Sequence, residues 1–279
     1  MPITINSSPL VEMLLKFQEV TGRGIPEITR AHARLCAVEL ANRTQPFSVG
    51  KGGGPRAKKQ GETRVGNDIG KIIKTKDRLD EIFNQTQSEK LKKNLQRLAS
   101  AGRWEALADV FKKVGFPSVK FVLDSATIKK AHQANRSKST GRTFKKADAL
   151  YIATRSLPAY IREVTKRVGL SKSGWAECAK QIGGVKGDAA RGIPAFAKRH
   201  SAGFGKVSEN IAGANTSFTM TNSIPWADKV CRDSEQRAAL NIAKSKMLKS
   251  MAVAIRAAKT KGQNVKNAIS EGVAAAEAA

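Results

Sequence analysis

Between residues 51 and 180 the chain carries 30 Lys and Arg against 12 Asp and Glu, a net charge of +18. The first 50 residues carry only +1 and the stretch 181–279 carries +8, which completes the total of +27. A segment charged in this way repels itself unless an anion lies against it. Nucleic acid, or a structure that encloses it, is the partner such a balance points to; a merely over-charged, solvated surface is the plainer alternative. The middle of the chain, not its ends, is where that partner is expected.

The remaining composition allows a core of a particular kind. Apolar residues make up 41% of the chain but aromatics only 5%, so packing must rest on aliphatic side chains and alanine. Cys36, Cys178 and Cys231 are odd in number and far apart, and no CxxC occurs. That pattern fits small buried thiols in a reducing compartment rather than a disulfide framework or a zinc site. There is no basic segment followed by an apolar run at the N-terminus, and no stretch of about 20 apolar residues. The expectation is a soluble chain made in a cytosol, without membrane contact.

Periodicity predicts mostly helix. Ser8-Pro9 opens a helix carried by Leu10, Leu14 and Phe17 and stopped at Gly22 and Gly24. A second helix over 26–43 places Ile28, Ala31, Leu35, Val38 and Asn42 in steps of three and four, a narrow apolar seam. Val65, Ile69, Ile72 and Ile73 mark a further helix, and residues 77–84 and 88–101 two shorter ones. Trp104 and Phe111 pin another turn or two. Residues 118–124, SVKFVLD, alternate as a strand. Residues 157–168 and 170–183 form a helix pair broken near Gly169. Residues 205–223 read as a β-hairpin that turns at Gly213-Ala214-Asn215, with Phe218 and Met220 alternating against Ser217, Thr219 and Thr221. A long amphipathic helix over 227–258 lines up Trp226, Val230, Leu240, Ala243, Met247, Met251 and Ile255. The Ala-rich end after about residue 260 is expected to fray. The fold class is α+β, mostly helical, with a small antiparallel sheet and a long C-terminal amphipathic helix.

Two stretches are candidate contacts for nucleic acid or an acidic partner. IKKAHQANRSKSTGRTFKK, residues 128–146, has seven cations and no acid, and reads as an exposed basic arm. Its contact candidates are Lys129, Lys130, Arg136, Lys138, Arg142, Lys145 and Lys146. The second is SVGKGGGPRAKKQG, residues 48–61, with Arg56, Lys58 and Lys59. A phosphate-binding loop would need a Gly five residues before Gly50, a Ser or Thr after Lys51 and a preceding strand. Position 45 is Gln, position 52 is Gly and the preceding segment is helical, so this is not such a loop. It is a basic connector, either a plain solvated linker or one that faces DNA or a partner. Only Phe144 interleaves with the arm's cations, so any nucleic-acid contact would be with phosphate and independent of base sequence.

Signs of catalysis are missing. His32, His132 and His200 have no neighbour at metal-ligand spacing. Asp77, Asp80 and Glu81 cluster where a helix start favours negative charge. No GxSxG occurs. No enzyme, metal or cofactor is expected.

Several segments resemble the neck or tail-completion proteins of tailed bacteriophages, the minor tail proteins near the head–tail junction. They are LANRTQPF (40–47), RAKKQGETRVGNDIGKII (56–73), VGLSKSGWAECAKQIGG (168–184), GIPAFAKRH (192–200) and TMTNSIPWA (219–227). The resemblance implies a helix-rich N-terminal half, a small sheet and a long helix. It implies a virion structural protein without enzymatic activity, made in the bacterial host cytoplasm. Its partners would be copies of itself in a ring, neighbouring head–tail connector or tail proteins, and the DNA phosphate backbone. Residues 1–75 and 151–260 would form the main domain, 76–150 a helical insertion with the basic arm, and 261–279 a tail. The alternative is a sequence-independent nucleic-acid-binding protein of the packaging or nucleoid kind.

Overall fold

A computed structural model of the chain describes residues 2–6, 15, 17–19, 22–48, 53–79, 83–84, 86, 88–114, 119–122, 124–137, 143, 150–153, 155–183, 192–200, 203–212 and 215–261. The fold is α+β and mostly helical. The chain divides into two compact units, one from residues 1–60 and 168–279, the other from Gly61–Arg167.

The first unit is built around helix α1, Ile25–Arg43. Sequence spacing gives this helix one apolar seam, but it is buried on every side from Ala33 to Ala41. The reason is its small residues: Ala33, Cys36, Ala37 and Ala41 let neighbouring elements approach closely. Helix α7, Leu170–Ile182, packs on it, as does the long helix α10, Asp233–Lys261. The ion pair Glu39–Lys246, at 3.2 Å, ties α1 to α10. The third wall is an antiparallel sheet of order β1-β6-β5, from Pro2–Asn6, Ser217–Asn222 and Gly205–Asn210. Phe218, Met220 and Asn222 of β6 point inward, as do Ile3 and Ile5 of β1. Across the outer face Thr4 and Thr219 share a hydrogen bond of 3.0 Å. The hairpin is where alternation places it. The strand β1 was not visible in the sequence, because five residues with two inward isoleucines make too short a period.

The free edge of β5 is covered by side chains of α7. Glu177 accepts from the amides of Gly203 and Gly205 at 2.9 and 2.7 Å. One turn later Gln181 donates to the Gly205 carbonyl at 2.8 Å and accepts from the Val207 amide at 3.0 Å. Two side chains thereby occupy backbone groups that would otherwise be open to another strand. The close approach needs Gly174 and Gly205 at the crossing point.

The long C-terminal helix is interrupted. After the four-residue helix α8, Ala195–Lys198, a short helix α9, Ala227–Val230, precedes α10, and the chain turns at Cys231 and Arg232. Trp226 is partly exposed rather than on the buried face. The Cys231 amide closes on the Ala227 carbonyl at 2.9 Å, and Asp233 then opens a new helix. From Ala239 to Met251 the expected face is buried against α1. All three cysteines are free and buried.

The second unit is a parallel sheet of order β2-β4-β3, from Ile73–Thr75, Leu150–Ala153 and Val119–Val122. Ile152 and Val119 face helices α3, Glu89–Ser100, and α4, Trp104–Lys113. Ala153 and Val122 face α5, Ser125–Ala134, and α6, Leu157–Thr165. A second sheet of this kind was not expected. Its strands have three or four residues and are covered on both faces, so they show no polar alternation. For the same reason the helix expected through Ile73 ends at Gly70, and Ile73 pairs with Tyr151 as a strand. Of the helix expected over 77–84, the described residues show a 3-10 turn, Lys76–Arg78, and then Leu79 and Phe83, both helical and in the core. The pair α6 and α7 breaks as expected at Gly169, whose φ of 94° suits glycine. The start of the first predicted helix, the turn at 213–214 and the Ala-rich tail lie outside the described residues; 15 and 17–19 are helical.

Candidate anionic-partner surface

Of the cations singled out in the sequence, Arg56, Lys58 and Lys59 lie on helix α2, Gly53–Gly70, and not on a flexible connector. Pro55 suits a first helical turn. Ala57 and Gly61 are buried, so the helix has a packed side. Arg56 and Lys59 are exposed, while Lys58 is half-buried and engaged within the fold. Residues 49–52 lie outside the described residues.

The basic arm is corrected more sharply. Down to Ala134 it is helix α5, capped by the Asp124 carboxylate, which accepts from the Thr127 amide at 2.7 Å. Ile128, Ala131 and His132 are spaced three and four apart and buried together, while Lys129 and Lys130 face solvent. The density of charge hid this face in the sequence. After the helix, Arg136 forms an antiparallel bridge with Thr143. Thr143 is buried and fixed to Asp68: its amide donates to both carboxylate oxygens at 3.1 and 3.3 Å, and its hydroxyl to the Asp68 carbonyl at 3.0 Å. Arg136 has an interaction within the fold and is not a free cation. Lys138, Arg142, Lys145 and Lys146 lie outside the described residues.

Asp68 also organises the ring pair beneath the arm. His132 Nδ1 and the Tyr160 hydroxyl share a hydrogen bond of 3.0 Å, and His132 Nε2 lies 3.6 Å from Asp68. Burial lowers the His132 pKa, with Arg136 adding to the effect and Asp68 opposing it, so the ring is neutral at pH 7. Burial raises Tyr160. For Asp68 burial acts upward, but the hydrogen bonds from Thr143 and the nearby Lys71 outweigh it and hold the acid below its usual range. Both rings are almost closed to solvent, and Asp68 fastens Thr143 beside them. Asp68→Ala is expected to cost about 2 kcal/mol, since it leaves the Thr143 amide without its acceptor. Asp68→Asn keeps an acceptor and should cost less. Hydrogen exchange at the Thr143 and α5 amides reads this directly: faster exchange in the alanine variant is the expected result.

A cationic face not singled out in the sequence lies on α3. Ser88 caps the helix, and Leu91, Leu95 and Leu98 face inward. Lys90, Lys93 and Arg97 are exposed on another face, at i, i+3 and i+7. Ser88, Leu91 and Asn94 join them in lining a shallow hollow of about 550 Å³. The signal was present in EKLKKNLQRLAS, but the leucines drew attention to the core face alone.

The most enclosed charge in the first unit is Lys172. Its ammonium donates to the carbonyls of Ala41, at 2.5 Å, and Asn42, at 3.3 Å, and to the Ser48 hydroxyl at 3.1 Å. These carbonyls end α1, where the helix dipole favours a cation. Burial pulls the Lys172 pKa down to about 7, partly opposed by Cys231. No group of three or more His, Cys, Asp or Glu gathers at metal-binding range among the described residues. No helix among them is long and apolar enough to cross a membrane. No protein family, curated protein or solved structure gives a match to the chain.

Proposed function

We propose that this chain is a non-enzymatic structural component of the head–tail junction of a tailed phage or prophage, a neck or tail-completion protein assembled as a ring. The observation that carries this reading is how four of the five resembling segments interlock in the first unit. Lys172, within 168–184, donates to Ala41 and Asn42, within 40–47. Asn222, within 219–227, donates to the Ser171 carbonyl at 2.8 Å. His200, within 192–200, lies 3.0 Å from the Val168 carbonyl. Segments up to about 180 residues apart in the chain thus form one core, as a shared architecture would require. The test is cryo-electron microscopy of purified virions, with mass spectrometry to detect the chain. Copies at the head–tail junction are the expected result. A chain that stays strictly monomeric and never enters particles would overturn the reading.

The cationic face on α3 favours a second reading, a sequence-independent nucleic-acid-binding protein of the packaging or nucleoid kind. It predicts DNA binding by the purified chain that weakens steeply as salt rises. The two readings are compatible in one protein if the ring lies against DNA.

A further inference from the structure

We infer that the exposed row Lys90, Lys93 and Arg97 on α3 is a contact site for the phosphate backbone of nucleic acid, and this rests on the nucleic-acid reading just given. Three observations carry it. The first is geometry. Along a helix the row spans about 10 Å, at 1.5 Å per residue. Phosphates of one duplex strand advance about 3.4 Å each along the axis, so the row matches roughly three of them. Arg97 is oriented by Asn94, whose side-chain oxygen lies 3.5 Å from its guanidinium.

The second is the absence of internal competition. Some exposed cations of the second unit are held by acids. Lys71 pairs with Asp68 at 3.4 Å, and Arg167 with Glu163 at 3.1 Å. Among the described residues, no carboxylate pairs with Lys90, Lys93 or Arg97, although Glu89 stands a turn before Lys93.

The third is what the face does not offer. Its described lining is Ser, Lys, Leu, Asn and Arg, without an aromatic ring on which a base could stack. The contact is therefore with phosphate and indifferent to sequence. The row is rigid as well, because Leu95 and Leu98 on the same helix are buried in the core.

The test compares the full chain with Lys90→Gln/Lys93→Gln/Arg97→Gln on a 30-base-pair duplex over a salt series. Arg155→Gln/Arg162→Gln/Lys166→Gln serves as the control, because it removes the same charge from exposed positions of the same unit. Circular dichroism confirms folding of each. The α3 variant is expected to lose on the order of several hundred-fold in affinity near 0.1 M salt, about eightfold per phosphate contact. The slope of log K against log salt should flatten by about 2.7. The control should lose about tenfold or less, from long-range charge alone. Equal losses in the two variants would overturn the assignment to α3 while leaving the nucleic-acid reading intact. Failure of the unaltered chain to bind the duplex would overturn both. Binding of poly-glutamate as tightly as the duplex would move the row to an acidic protein partner and overturn the nucleic-acid assignment.

Discussion

Gly205→Ala is expected to destabilise the first unit by about 3 kcal/mol or more, a larger loss than overpacking usually brings. A Cβ at this position would lie 2.1 Å from the Gly174 carbonyl oxygen, 2.7 Å from the Glu177 Cβ and 3.0 Å from the Cys178 amide nitrogen. The first and last of these are backbone atoms, so no rotamer change relieves the contact. Nor can the strand withdraw without breaking the four hydrogen bonds that Glu177 and Gln181 make to the 203–207 edge. Thermal unfolding should show a Tm lower by roughly 10 °C for a unit of this size. Gly66→Ala provides the contrast. It lies within α2, with nothing inside 4 Å of the added carbon. There alanine should be neutral or stabilising by up to about 1 kcal/mol. A loss below 1 kcal/mol at Gly205 would mean that α7 and β5 do not meet as described.

The second large effect is a dependence on pH. Lys172 has no exposed surface, and its folded pKa of about 7 lies far below its ordinary value near 10.4. Between those values the unfolded chain holds a proton that the folded chain has released. Stability therefore rises with pH through this window, by up to about 1.4 kcal/mol per pH unit. Below pH 7 the full cost of burying the cation is present. Lys172→Met removes the titration. The stability of the native protein relative to this variant should therefore rise by about 2 kcal/mol between pH 6 and pH 8.5, read by urea unfolding. The three buried thiols act in the opposite direction above about pH 8.5, because burial raises them all, Cys178 to about 12. That contribution is largely common to both proteins. The same pH dependence in the variant would exclude Lys172 as its source.

Much of the fold could be read from periodicity. The seam of α1, the break at Gly169, the hairpin of β5 and β6 and the buried face of α10 each repeat a pattern over enough residues to be seen. What escaped was short or distant. β1, β2 and β4 are too brief to show alternation, and two of them are buried on both faces. The charge run at 128–146 was read as a loop because Lys129 and Lys130 interrupt the helical spacing of Ile128, Ala131 and His132. The clamp on Thr143 joins residues 75 apart, and nothing near either partner signals the other. Linear charge density found the basic segment but not its usable cations. Which ones are unpaired depends on the acids that folding brings beside them.

The first unit is completed by chain on both sides of the second. Lys172 is 131 residues downstream of Ala41, whose carbonyl it holds. At translation rates of roughly 5–20 residues per second, the ribosome needs on the order of ten seconds to make the intervening chain. The second unit, continuous in sequence, can form during that interval. Helix α1 cannot bury itself until α7 and α10 have been made. During synthesis, then, a helix buried on every side from Ala33 to Ala41 waits for chain made more than a hundred residues later. Slowing translation across 61–167 should lengthen that exposure and increase its capture by chaperones.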